Sequence, residues 1–281
     1  MSGLTSAGSE PENDVAAAAG SETASTLSGE ELVIGYGEEI IIDGGSIEIP
    51  AGSITALIGP NGSGKSTLLK GLARQQHPDA GQVLLDGQDA YDLDTKEFAR
   101  QLGMLSQEGG WPDGVTVEEL VYHGRYPHRG FFEPVSEEDK RAVDRAIELA
   151  GVESLREREM SSLSGGQKQL GWIAMALAQE TDVLLLDEPT TFLDLRHQLQ
   201  VMETVERLNE NAGTTIGLVL HDIEQAACYA DHMIALQAGE IYAAGVPSEV
   251  LTEQLVADVF GVEATVDHGK AETRVIPHEP L

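Results

Sequence analysis

The sequence predicts an α/β fold built around a parallel sheet. Three observations point to it. Strand-like apolar runs alternate with helical segments through the middle of the chain, an order that lays strands side by side in parallel. Some of these runs, "DVLLLDEP" above all, are apolar at successive positions, as in strands covered on both faces. The glycine loop "GPNGSGKS", 59–66, fits G-x-x-x-x-G-K-[ST] directly after one such strand, "SITALIG", and ahead of a helix, "KSTLLKGLAR".

In chain order, residues 1–28 hold Ser, Ala, Gly and Glu with almost no large apolar side chain, and are expected to be a disordered acidic tail. A single domain is expected over 29–266, with 267–281 as a C-terminal tail. "ELVIGYG", "EEIIIDGGSIEI" and "QVLLDGQ" read as strands broken by Gly and Asp turns, an antiparallel β subdomain. "LGMLSQ" is a strand stopping at Gln107, and a helical subdomain over about 108–175 follows. In it, "SEEDKRAVDRAIELAGV" has Ser136 as N-cap, acidic residues in the first turn, and Val143, Ile147 and Ala150 on one face. Ser164 caps a further helix whose Leu170, Ile173, Ala174 and Leu177 recur at helical spacing. The helix "LRHQLQVMETVERLNENAG" and the strand "TTIGLVLHD" come next, then a hairpin, "MIALQAGEIYAAG", and a helix from about Ser248.

The charge balance is lopsided. Lys and Arg total 17 against 48 Asp and Glu, a formal net charge of −31, and no Lys or Arg precedes Lys65. Such a chain repels nucleic acid and anionic lipid. The excess is the composition expected of a halophile, where salt screens self-repulsion. No apolar run approaches the ~18 residues that span a bilayer. The single cysteine, Cys228, excludes an internal disulfide and reads as a small buried helix residue.

Four strands end at polar residues: before Lys65, at Gln107, at Asp187–Glu188 and at His221. In open α/β sheets ligands bind beyond those ends. Gly59, Gly62 and Gly64 let the backbone curl its N–H groups inward, and the following helix adds its partial positive charge. Lys65 can then reach β- and γ-phosphates, and Ser66 can hold Mg²⁺. Asp187 supplies a second Mg²⁺ ligand through water, and Glu188 is placed to polarise the attacking water. His221 can contact the γ-phosphate. His123 and His128 do not by themselves make a metal site.

Together these motifs resemble the ATPase subunits of ABC transporters, over about Leu32 to Val266. The resemblance makes 59–67 (Gly59, Pro60, Asn61, Gly62, Ser63, Gly64, Lys65, Ser66, Thr67) the Walker A loop and "VLLLDEP" Walker B. Gln107 is then the Q-loop glutamine, which senses Mg²⁺ and nucleotide; Asp194 in "TFLDL" is the D-loop aspartate, and His221 is the H-loop histidine. "LSGGQ", 163–167, is the signature, and Tyr36 in "IGYG" resembles the aromatic that stacks on adenine. Such a fold is a P-loop NTPase with a parallel-sheet core, an N-terminal antiparallel β subdomain and a helical subdomain. The family implies ATP and Mg²⁺ as ligands and a head-to-tail homodimer. In that dimer Ser164, Gly165, Gly166 and Gln167 close over the partner's ATP, so one chain holds half of each of two sites. It also implies integral-membrane permease subunits, an extracytoplasmic substrate-binding protein, and a place at the cytoplasmic face of the membrane.

"GRYPHRGFF", "WIAMALAQETDVLLLDEPTTFLDLRHQ" and "LHDIEQAACYADHMIAL" resemble importers of iron–siderophore, cobalamin and haem, with the iron–siderophore subunits nearest. The Gln107–Leu163 interval is too short for the coiled coil of DNA-repair ATPases, and a nucleotide kinase has no use for "LSGGQ". An iron–sulfur assembly ATPase stays open as the alternative, disfavoured by the wording of these stretches alone. The aromatics Trp111, Tyr122 and Tyr126, with Arg125 beside them, are expected to bear the groove that takes a permease helix.

Overall fold

The structure is a computed structural model that describes residues 24–106, 114–130, 133–269 and 273–281. The tail expected over 1–28 therefore lies largely outside the described residues, as do Gln107 and Trp111. The first elements are β1 (Leu27–Tyr36), β2 (Glu39–Ile49), β3 (Ile54–Ile58), α1 (Lys65–Leu72), β4 (Ala80–Leu85), β5 (Gln88–Asp89), α2 (Thr95–Gln101) and β6 (Leu102–Leu105). Then come α3 (Val117–His123), α4 (Glu137–Leu149), α5 (Gly165–Ala178), β7 (Val183–Asp187), α6 (Leu195–Ala212) and β8 (Thr215–Val219). The last are α7 (Ile223–Tyr229), β9 (His232–Gln237), β10 (Glu240–Gly245), α8 (Pro247–Val250), α9 (Glu253–Phe260), β11 (Val262–His268) and β12 (Thr273–Pro280).

Among the described residues, one sheet has the order β10-β9-β3-β8-β7-β6, parallel from β9 to β6 with β10 antiparallel at the edge. A second, antiparallel sheet has the order β2-β1-β4-β5. All five positions of β3, β7 and β8 are buried. The reason is a core on each face. Leu184 and Leu186 pack into the core shared with α5 and α6, while Val183 and Leu185 pack with β1, β2 and α1. Successive side chains of a strand point to opposite faces, so a doubly covered strand must be apolar at every position. Each such Leu contributes about 1.5–3 kcal/mol by burial.

The helical subdomain contains α3, α4 and α5, and each starts with a reciprocal capping box: Thr116 with Glu119, Ser136 with Asp139, Ser164 with Gln167. Each box satisfies two backbone N–H groups that the helix leaves without partners.

Several expectations are corrected. The expected tail overlaps a strand: β1 starts at Leu27, which pairs with Ile49 and Leu85 and is fully buried. One apolar residue in a polar stretch carries no periodicity to reveal this. The expected C-terminal tail contains β12, paired with β11, although two prolines and many polar residues hide its strand character. The helix from Ser248 is two helices, α8 and α9. Cys228 is exposed on α7 rather than buried. Arg125, expected at a docking surface, is only 2% exposed. Its Nε donates to Asp139 at 3.1 Å, and its Nη1 donates to Ala178 O and Glu180, each at 2.8 Å. It joins the end of α3 to the start of α4 and the end of α5, a structural role.

Candidate functional site

The parallel strands deliver the site. β3 runs into the glycine loop, and β8, beside it, ends before His221. β7, next again, ends at Asp187 and Glu188. At 59–64 the backbone departs from ordinary conformations. Gly59 has φ 146°, and a Cβ there would come within 2.2 Å of Leu236 O. Gly64 takes φ 99° as N-cap of α1, where a Cβ would meet Ile42 at 2.6 Å. No other residue fits either place. The Lys65 ammonium donates to the carbonyls of Gly59 and Pro60, both at 2.9 Å, and so closes the loop on itself.

The Ser66 hydroxyl donates to Asp187 Oδ1 at 2.8 Å. Next to it, Glu188 has φ 53°, a left-handed conformation that costs a non-glycine residue roughly 1–3 kcal/mol. Its neighbours hold it there. His221 Nε2 lies 2.7 Å from Glu188 Oε1, and Thr191 Oγ1 donates to Oε2 at 3.1 Å. Burial pushes Lys65 below the ordinary lysine value against the attraction of Glu188 and Asp187. Burial likewise raises the Asp187 carboxyl; the Ser66 hydrogen bond opposes this and the charge of Glu188 adds to it.

Lys65, Ser66, Glu188 and His221 open on one cleft of about 630 Å³, lined also by Asn61, Gly62, Gly64 and Thr67, while Gly59, Pro60 and the buried Asp187 stand behind its lining. Ser63 is buried beneath the loop. Ile41, Thr191 and Phe192 also line the cleft and were missed in the sequence. Thr191, three residues after Glu188, had a legible spacing; Ile41 is one apolar strand residue among several and had none. The cleft walls hold a hydroxyl, a carboxylate, an ammonium and the N-terminus of α1, a set suited to a polyphosphate.

Other predicted residues stand elsewhere. Tyr36 is exposed at the end of β1, and neither it nor Ser164, Gly165, Gly166, Gln167 and Asp194 belongs to the cleft lining. Ser164 caps α5 and Asp194 caps α6. Gln107 lies outside the described residues.

The family model described as ABC transporter matches residues 42–191. The chain is 45% identical to the ferric enterobactin transport ATP-binding protein of Escherichia coli (strain K12), over 87% of this chain and 90% of that one. It is 48% identical to a petrobactin import ATP-binding protein of Bacillus anthracis, over 85% and 88%. Among solved structures, a dimeric bacterial ABC transporter cassette superposes with a TM-score of 0.70 at 29% identity, covering 79% of this chain and 98% of that one. The chain belongs to the ABC transporter family, as one of its ATP-binding subunits.

Proposed function

We propose that this chain hydrolyses ATP to power uptake of an iron–siderophore-type chelate through a separate membrane permease. The observation that carries the hydrolytic part is Glu188, held on both carboxylate oxygens in one cleft with Lys65 and Ser66, the latter hydrogen-bonded to the buried Asp187. The glycine loop and Lys65 take the phosphates. Glu188 orients and deprotonates water, and His221 fixes the carboxylate and faces the γ-phosphate. Ser66 and Asp187 offer converging hard oxygen donors, the kind Mg²⁺ takes, so they fit the ion and would hold it, with Gln107 as a further ligand. When bound, Mg²⁺ neutralises phosphate charge. Tyr36 is assigned to the adenine.

The signature residues Ser164 to Gln167 do not line the chain's own cleft. They are assigned to the ATP of a second copy packed head to tail. Exposed apolar residues beside Asp194 support such a partner: Phe192 is 95% exposed and Leu195 71%. The importer assignment rests on the relatives, named for ferric enterobactin and petrobactin transport. Among the described residues no helix is long and apolar enough to cross a membrane, and the relatives' names as ATP-binding proteins support a permease on a separate chain. This chain would sit on it at the cytoplasmic face, with a substrate-binding protein on the other side.

Proteoliposomes carrying the chain with its permease and binding protein test this. ATP should drive uptake of a ferric siderophore, and Glu188→Gln should abolish it. Intact hydrolysis with uptake of none of a panel of ferric chelates would overturn the substrate class.

A further inference from the structure

We propose that His197 is a positioning residue that locks the signature glycine Gly166 to Asp194 of the same protomer. The two glycines that open α5 sit in different surroundings. A Cβ on Gly165 would meet nothing within 4 Å. A Cβ on Gly166 would lie 2.6 Å from Cγ of His197 and 2.9 Å from both Cδ2 and Nδ1. Neither glycine has a left-handed backbone. Glycine at 166 therefore answers to space, and the imidazole of this chain's own α6 occupies that space.

The ring is itself held. Asp194 Oδ1 accepts from the His197 backbone N–H at 3.0 Å and lies 2.8 Å from Nδ1. A carboxylate only accepts, so Nδ1 carries the proton. One oxygen thus caps α6 and orients the ring. Ser164 caps α5 in the same way, so two capped helix starts meet through one side chain. Both helices are rooted in the same core, α5 through Leu170 and Ile173, α6 through Val201 and Met202. A shift at the start of α5 is therefore carried to Asp194, and along the loop back to Glu188.

The consequence rests on the head-to-tail reading. Ser164 to Gln167 would face the partner's ATP, whereas Glu188 acts on the chain's own. The Gly166–His197–Asp194 contact then makes closure over one ATP felt at the base that attacks the other.

Steady-state ATP hydrolysis by His197→Ala, His197→Asn, Gly166→Ala and the Gly166→Ala/His197→Ala pair tests this. His197→Ala should lower kcat by roughly ten- to a hundredfold through misplacement, and lower the Hill coefficient for ATP, with ATP affinity of the protomer retained. His197→Asn keeps a donor where Nδ1 stands and should recover most of kcat. Gly166→Ala should be severe alone, yet cost no more than about threefold further once the ring is gone, a non-additivity expected of residues in contact and not of distant, independent ones. Equal costs in both backgrounds, or wild-type kcat and Hill coefficient in His197→Ala, would overturn the role. If His197→Ala melts early, the Asn variant decides on the same readouts. Gel filtration of Glu188→Gln with ATP separates the two levels. A monomer there sinks the head-to-tail reading and this inference with it. A dimer with additive double-mutant costs sinks the His197 role alone.

Discussion

His221 Nε2 lies 2.7 Å from Glu188 Oε1, and the pair joins the ends of two neighbouring parallel strands. Glu188→Gln keeps the shape and a hydrogen bond to His221 but removes the base. Hydrolysis should fall at least about a hundredfold while ATP still binds. Phosphate release and nucleotide titration check the two halves, and hydrolysis within a few-fold of wild type would contradict the role.

Lys65 is predicted to organise the phosphates. Its ammonium already rests on two loop carbonyls, ready to add charge-assisted hydrogen bonds to the ligand. Lys65→Ala should weaken ATP binding by about ten- to a hundredfold, the equivalent of one such bond, with an unchanged circular dichroism spectrum. Calorimetric titration measures this directly.

Asp139 gives the fold an acid limit. Burial acts to raise its carboxyl, but the Ser136 N–H and hydroxyl and the Arg125 guanidinium outweigh that and hold it below the ordinary aspartate range. A depressed folded value means the stabilisation is present above the unfolded value, about 3.9, and is lost as pH falls through the folded one. Asp139→Asn should be less stable at neutral pH by about 1–3 kcal/mol, with a shallower acid loss. Denaturant titrations at neutral and acid pH check both, and wild-type stability at neutral pH would refute it.

The net charge of −31 predicts salt dependence. The melting temperature should rise from low to molar salt, because repulsion is screened. A flat profile would count against adaptation to high salt.

Tyr126 is the residue predicted to meet the permease. It is exposed and packs against His123 with ring centroids 4.9 Å apart, while Arg125 is buried and Tyr122 packs against the core. A cysteine at Tyr126 should cross-link to the permease; failure in every nucleotide state, while other sites succeed, would reject this surface.

What the chain states by itself is local. The glycine loop, the acids ending an apolar strand, and the caps Ser136 and Ser164 are written as neighbours within a few residues. The cap hydrogen bonds run from i to i+3, and the loop and the acid pair are contiguous residues, so spacing alone exposes these motifs, although Ser66 meets Asp187, and Glu188 meets His221, only across strands. Strand burial on both faces was legible for the same reason, since it demands an unbroken apolar run. The tertiary structure decided the rest. Arg125 reads as one more exposed basic residue until α4 and α5 bring Asp139 and Ala178 to it. Cys228 reads as core until α7 turns it outward. Leu27 and β12 acquire strand character only from partners far along the chain. Gly166 and His197 lie in different motifs, and no periodicity links them. A steric contact between two helix starts depends on how those helices pack, and that is set by the core they share.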